Sequence, residues 1–419
     1  VLAAYAAGVN AFLVGRTGAL PVEFLVFGVK PEPWEPADSI AWGKMLAWDL
    51  STNWGAELAR FRLSRKLPTQ RIAEFFPPYP GDAPPDLPDL SVLYRSAQAA
   101  IPSAELAALA PADGNEGLGS NNWLVGGALS ASLKPLLAND PHLGLEAPSV
   151  WYLAHLAAPD FAAVGATLPG VPGVVLGHNR RIAWAFTNTG TDSQDLYLEK
   201  TDETGERYLT PDGWRSFVSR EEIIRSRGGK GETLRVRETR HGPVLNGAIS
   251  PASLPPAPYV LAMAWTALRD DDLTAQALVK LASVSDWNDF VSAMRDWHSP
   301  QQNMLYADTH GNVGFLAPGR VPVRRAENDL RGLAPALGWE ARYDWTGFIP
   351  FDALPRAYNP RSGRLVTANQ KIVAGDYPYF ITSEWAETYR ATRIDALLDR
   401  ETAHSLASFR AMQADVFSQ

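Results

Sequence analysis

Cysteine is absent from the 419 residues, which removes disulfides, thiolate metal sites and a cysteine nucleophile together. A cysteine-free chain suits an oxidising compartment without requiring one. No stretch of about eighteen consecutive apolar residues occurs, so no segment reads as a membrane span. Basic residues are outnumbered, 38 Lys plus Arg against 46 Asp plus Glu for a net charge of −8, and no basic run exceeds Arg324-Arg325. A phosphate backbone calls for a basic face, so nucleic acid is not the expected partner. No GxGxxG opens a helix, and GxxxxGK(S/T), HExxH and GxSxG are all missing. Dinucleotide, nucleotide-phosphate, zinc-protease and α/β-hydrolase readings therefore have no anchor.

What is present is an ordinary globular balance, 46% hydrophobic and 20% charged, in a chain long enough for a large core or two lobes. Residues 1–76 read as mainly helical. Ala37-Asp38-Ser39 offers an N-cap before Ile40, Ala41, Met45 and Leu46, and a second helix is expected over Ala56 to Lys66. Prolines between Pro77 and Leu90 predict an exposed linker, followed by a short helix over Leu93 to Leu109 and a flexible loop from Pro111 to Gly119. After Ser120 the texture turns to strands: Asn122–Val125, Lys134–Ala138, Gly173–Leu176, Thr233–Glu238 after a turn at 228–231, and Asn312–Leu316. Helices return between Asp272 and Trp297. The sum is a mixed α/β or α+β protein with stacked sheets and outer helices, without internal repeats.

One place is unusual. In Gly117-Leu118-Gly119-Ser120-Asn121-Asn122-Trp123 a polar, glycine-rich loop runs straight into an apolar strand with a serine at the junction. Serine is common at such boundaries, so the residue alone proves nothing. A chemical route exists nonetheless: cleavage of the Gly119–Ser120 bond would give Ser120 its own α-amine. That amine has an unperturbed pKa of about 7.7–8.0, and its neutral form can take the hydroxyl proton.

The order of short motifs along nearly the whole chain resembles the penicillin acylase family, which includes cephalosporin and acyl-homoserine lactone acylases. The motifs include Tyr5-Ala6-Ala7-Gly8-Val9-Asn10, Pro31-Glu32-Pro33-Trp34-Glu35-Pro36, Gly119-Ser120-Asn121-Asn122-Trp123 and Asn139-Asp140-Pro141-His142. They continue through His241-Gly242-Pro243, Gln302-Asn303, Gly319-Arg320-Val321-Pro322-Val323-Arg324 and Tyr343-Asp344-Trp345-Thr346-Gly347. Each is weak alone; their shared order is specific.

The resemblance implies an α+β protein with the four-layer αββα N-terminal-nucleophile fold, made as a precursor that cleaves itself between Gly119 and Ser120. Residues 1–76 would belong to the first chain, 77–119 to a linker, spacer and cleavage loop, and 120–419 to the nucleophile-bearing chain, the two chains staying together as a heterodimer. Family members extend before Val1 and beyond Gln419, so the ends read as cut through structure, and a periplasmic or secreted location is expected. The implied activity is release of an acyl group from a small acyl amide, a β-lactam side chain or an N-acyl-homoserine lactone, through an acyl-enzyme on Ser120. A non-catalytic or unprocessed piece that only binds acyl amides is the alternative. By the same resemblance Asn303 is the side-chain donor of the oxyanion hole and the backbone N–H near Asn188 the second donor. His142 contacts the nucleophile's amine or hydroxyl. Arg324 orients the oxyanion asparagine, with Arg320, Arg325 and Arg331 near enough to be alternatives. Glu57, Asp192, Gln194 and Asp195 resemble a calcium-binding set, whose oxygen donors suit a hard cation; a solvated acidic loop would show the same residues. No organic cofactor is implied. Trp34, Trp42, Trp48 and Trp54 with Asp270-Asp271-Asp272 raise a carbohydrate-binding reading, but three acids before a helix are more simply an N-terminal charge cluster.

Overall fold

Successive side chains of a strand point to opposite faces, and the strand Gly119–Val125 uses both. Trp123 and Val125 turn into a cluster with Ala138, Ile394, Leu398 and Phe409. Leu124 turns the other way and packs with Ala185, Leu305, Val313 and Phe315. The computed structural model that shows this describes residues 1–51, 53–98, 119–144, 146–226, 229, 231–249 and 254–417. The strand is the middle member of a three-stranded antiparallel sheet, between Arg364–Thr367 and Leu136–His142.

Leu124's partners belong to a seven-stranded antiparallel sheet. Its order is Arg356–Tyr358, Val313–Leu316, Gln302–Asp308, Ile182–Asn188, Val171–Asn179, Phe161–Leu168 and Tyr152–Ala158. Alternation sorts this sheet as well. Ala185 and Leu305 face the small sheet, whereas Trp184, Phe186, Met304 and Tyr306 face outward. That outer face is covered by the amphipathic helices Thr274–Leu281 and Trp287–Met294, which bury Leu278, Leu281, Phe290 and Met294 against it. On the far side of the small sheet lie the helices Tyr389–Leu398 and Leu406–Gln413.

A further sheet pairs Gln194–Lys200 antiparallel to Tyr259–Trp265 and parallel to Ala336–Leu337. Its core receives the early helix Asn53–Leu63 through Leu58, Phe61 and Leu63. No described helix is long and apolar enough to cross a membrane.

The helix expected after Ser39 begins earlier, at Pro36. Glu35 caps it in a box with Asp38, and proline fits the first turn because its missing N–H would have no helical partner there. The second helix runs Asn53–Leu63 rather than 56–66. The proline-rich stretch ends in two short helices, Leu90–Leu93 and Arg95–Gln98, whose Leu90, Tyr94 and Ala97 are buried in the main core. Tyr94 also donates its hydroxyl to the Pro335 carbonyl (2.6 Å). A spacer excised from residue 77 onward would take these side chains out of the core. The loop expected at 111–118 lies outside the described residues, as does part of the 228–231 turn; the strands Val218–Ile224 and Glu232–Glu238 pair across that turn.

Leu305 is fully buried where the two sheets meet. Leu305→Ala is expected to lower the unfolding free energy by about 2–5 kcal/mol, the range for a leucine-sized cavity. Urea denaturation with an unchanged m-value is the check.

Candidate functional site

Strand pairing puts Ser120 opposite Pro141 at the end of the small sheet, 6% exposed. Its Oγ accepts from the backbone N–H of Asn188 (3.3 Å) and from Nδ2 of Asn369 (3.2 Å). Its backbone N–H donates to Oδ1 of the same Asn369 (3.0 Å). Asn369 holds a left-handed backbone, φ 66°, which asparagine tolerates better than most residues, and its Nδ2 also reaches the Asn188 carbonyl at 2.6 Å. Arg390, on the helix Tyr389–Leu398, closes the group. Its Nη1 donates to the Ser120 carbonyl (2.8 Å) and to Asn121 Oδ1 (2.9 Å), and its Nη2 to Asn369 Oδ1 (2.9 Å). Because guanidinium only donates, it fixes which end of the Asn369 amide faces it and leaves Nδ2 for the serine.

The expectation for the Asn188 backbone agrees with this geometry, since its N–H aims at Ser120. Asn303, Arg324 and His142 make other contacts than the expected ones. Asn303 is fully buried and spends its amide on Thr187 Oγ1 (3.2 Å), the Asn188 carbonyl (3.5 Å) and the Thr189 hydroxyl (3.2 Å). It has no donor left for a substrate; the side-chain donor at Ser120 is Asn369. Arg324 binds Asp192 and Asp195 instead of an asparagine; the arginine on the oxyanion-side asparagine is Arg390. His142 lies opposite Gly119 in the register, and its Nδ1 meets the Asp140 carbonyl (2.9 Å) rather than Ser120. A Cβ on Gly119 would stand 3.1 Å from both His142 Nε2 and Arg390 Nη2, which explains a glycine there.

Asn369 and Arg390 were missed because they follow Ser120 by 249 and 270 positions. No periodicity links residues so far apart; only the fold of the small sheet and its covering helix joins them.

Ser120, Asn188, Asn369 and Arg390 line the polar end of a cleft of about 690 Å³. Its walls are apolar: Ile40 and Leu46 from the helix Pro36–Asp49, Val175 and Phe186 from the large sheet, and Leu278 and Trp297 beyond. Asp49 stands at the lining too, its carboxyl raised by burial and by the nearby Glu146 charge. An apolar cleft ending in a serine with converging donors accommodates a molecule with an apolar tail and a carbonyl head.

Glu57, Asp192, Gln194 and Asp195 do come together, all buried, where the helix Asn53–Leu63 meets the start of the strand Gln194–Lys200. Arg324 Nε lies 2.9 Å from Asp195 and its Nη2 2.8 Å from Asp192; Trp345 Nε1 donates to Asp195 as well (2.8 Å). Glu57 accepts the Leu196 N–H at 3.0 Å. Burial, with Asp195 and Asp192 close by, pushes the Glu57 carboxyl well above the usual range; burial raises Asp192 too, against the pull of Arg324. Glu57 Oε1, Asn53 Oδ1 and Gln194 Oε1 are buried without a hydrogen-bond partner. Among the described residues no three acidic or histidine side chains are arranged as a metal cluster, because Arg324 holds both aspartates.

The family model described as penicillin amidase matches residues 1–419. The penicillin acylase 2 proenzyme of Pseudomonas sp. (strain SE83) is 34% identical over 434 residues, covering 100% of this chain and 54% of that protein. The acyl-homoserine lactone acylase QuiP of Pseudomonas aeruginosa is 33% identical over 432 residues, 98% of this chain and 50% of its own length. The chain thus spans about half the length of these curated relatives. Among solved structures, the thermostable penicillin G acylase from Alcaligenes faecalis superposes with a TM-score of 0.62 at 28% identity, over 70% of this chain and 51% of that one.

Two hydrogen bonds from the Arg390 guanidinium tie the covering helix to the serine strand, and a third reaches Asn369. Arg390→Met keeps the stem and removes the donors, and is expected to cost about 1.5–3 kcal/mol of stability. Thermal and denaturant unfolding measure it.

Proposed function

Because the chain belongs to the penicillin amidase family, we propose that it is part of an acylase that hydrolyses small acyl amides, with Ser120 as nucleophile. The observation that carries this reading is the pair of N–H donors, from the Asn188 backbone and Asn369, converging on Ser120 Oγ at the end of an apolar cleft.

Maturation in this reading is attack of Ser120 Oγ on the Gly119 carbonyl. The N–C bond breaks, an ester forms, and water hydrolyses it to leave a Gly119 carboxylate and a free Ser120 amine. A glycine before the serine fits this reading, since a Cβ at Gly119 would stand 3.1 Å from His142 Nε2 and Arg390 Nη2. Both pieces then stay together, because Leu58, Phe61, Leu90 and Tyr94 share a core with Leu196, Leu261 and Leu337. We read the stacking of outer helices, large sheet, small sheet and covering helices as the four-layer αββα arrangement.

In turnover the amine takes the proton of Oγ as it attacks the substrate carbonyl. Asn188 N–H and Asn369 Nδ2, which meet Ser120 Oγ here, would turn to the neighbouring substrate oxygen on which negative charge collects, and Arg390 holds Asn369 in the donating orientation. The protonated amine gives its proton to the leaving nitrogen, and water releases the acid from Ser120. The acyl part occupies the apolar cleft, whether it comes from a β-lactam side chain or an acyl-homoserine lactone. Periplasmic or secreted placement belongs to the same reading.

Intact mass and amide hydrolysis test it. Wild-type protein should show two chains with Ser120 at a new N-terminus, and Ser120→Ala one uncut chain without activity. The pH rise of kcat/KM should follow the amine, and His142→Gln should leave substantial activity. Normal cleavage of Ser120→Ala, or no hydrolysis of any acyl amide by cut protein, would sink the proposal; the second result would favour a domain that only binds.

We propose further that Ca2+ joins the Asn53–Leu63 helix to the residue 192–195 segment. Three carboxylates against one guanidinium, and the unpartnered oxygens of Glu57, Asn53 and Gln194, support a hard cation there. Its contribution would be structural. Elemental analysis should find calcium in freshly purified protein, and chelation should lower the melting temperature while turnover of mature protein is unchanged at first. Calcium-free protein with an unaltered melting curve in chelator would overturn the calcium reading and leave Arg324 and Arg60 to balance the carboxylates.

A further inference from the structure

Two residues along from Ser120, Asn122 is fully buried between the two sheets, where apolar packing with its neighbours Leu124 and Ala185 would be the ordinary solution. It is not alone. Asn303 Nδ2 donates to Thr187 Oγ1 at 3.2 Å. Thr187 Oγ1 lies 2.7 Å from Thr367 Oγ1, and Thr367 Oγ1 donates to Asn122 Oδ1. Asn122 Nδ2 donates to the Asn303 carbonyl (3.4 Å). With the Thr187 hydroxyl as donor to Thr367 the four residues form a ring that closes through the Asn303 backbone carbonyl, while the Asn303 amide also bonds the Asn188 carbonyl and the Thr189 hydroxyl. Asn122 and Thr367 belong to the small sheet, Thr187 and Asn303 to the large one. None is more than 4% exposed.

We propose that this buried ring is a positioning device for the reaction: it sets the separation and register of the two sheets so that the Asn188 N–H meets Ser120 Oγ. The reading rests on the acylase function argued above. Apolar contacts are non-directional and let two sheets slide by fractions of an ångström. A ring closed on itself does not, because any slide breaks at least one bond and strands a buried polar group without a partner. Its members are the immediate neighbours of the working groups. Thr187 precedes Asn188, Asn122 follows Ser120 by two, and Thr367 precedes Asn369 by two, each pair on one strand or its direct extension. Asn303 adds a second grip through the Asn188 carbonyl, which it shares with Asn369. The ring thus touches every strand that carries a group at Ser120; of its members only Thr187 also reaches the cleft lining, and Asn303 acts through Asn188 rather than on substrate.

Threonine substitutions separate this role from packing. Thr367→Val keeps volume and removes the hydroxyl; Thr367→Ser keeps the hydroxyl and removes a methyl. Hydrolysis of an acyl p-nitroanilide by the cleaved protein is the first readout. Thr367→Val should lower kcat by up to about a hundredfold, the effect of a 1 Å misplacement, with KM little changed, while Thr367→Ser stays near wild type. Thr187→Val should do the same, and the Thr187→Val/Thr367→Val double variant should lose no more than either alone, since one break opens the ring. The opposite order, with Ser impaired and Val active, or additive losses, would overturn the proposal. Hydrogen exchange of peptides covering 119–125 and 182–190 is the second readout and is independent of activity. Faster exchange there in Thr367→Val, with an unchanged Thr367→Ser, supports the ring even if wild-type protein hydrolyses no acyl amide, an outcome that would sink only the acylase reading; unchanged exchange in Thr367→Val overturns the ring.

Discussion

The guanidinium of Arg390 is the interaction on which the serine's surroundings depend. It is a planar fork of donors that stays charged at any working pH, and it is aimed at three acceptors at once: the Ser120 carbonyl, Asn121 Oδ1 and Asn369 Oδ1. Asn369 alone could present either end of its amide to Ser120. With Arg390 in place, the oxygen is claimed and the nitrogen is free to face Oγ. The helix Tyr389–Leu398 that carries Arg390 is held by Ala391, Ile394 and Leu398 against Trp123 and Ala138. Packing on one face of a strand therefore decides the polarity of a hydrogen bond at its end.

Much of the fold was legible because its signals are local. Period-two alternation marks Thr233–Glu238, an apolar run marks Asn122–Val125, and helical spacing from Ile40 marks a helix whose cap lies earlier than Ala37-Asp38-Ser39, at Glu35. Ser120 itself was legible from the glycine-rich loop that runs into an apolar strand, and the Asn188 backbone from shared motif order. The remaining partners were not. Asn303 and Arg324 sit in motifs as well formed as any, yet the first is walled in between sheets and the second neutralises two buried aspartates. Asn369 and Arg390 carry no local mark: one follows a four-residue strand, the other lies on a plain amphipathic helix. Type and spacing name residues capable of a role; which one reaches the serine is settled by packing between segments hundreds of positions apart.

Two buried polar groups divide the labour of holding the halves of the molecule. The acidic group around Arg324 ties the early helix to the start of the strand Gln194–Lys200, and the ring through Asn122 and Asn303 ties sheet to sheet. Both lie inside regions that are otherwise apolar. Polar groups in such places are costly unless fully partnered, and the ring is fully partnered whereas the acidic group is not. The first behaves as a rigid joint, the second as a place where charge balance remains open to a proton or an ion.

The cleft wall supplied by Pro36–Asp49 precedes Gly119, while Ser120 and its donors all follow it. In the proposed matured form, one wall of the tail's cleft would then reside on a different polypeptide from the groups that make and break bonds, while Val175, Phe186, Leu278 and Trp297 stay with the serine. Natural selection could retune one without disturbing the other, and an early segment exchanged between relatives would carry its preference for chain shape into a new partner. Diversity of substrates around an unchanged serine is what such a division of a gene product favours.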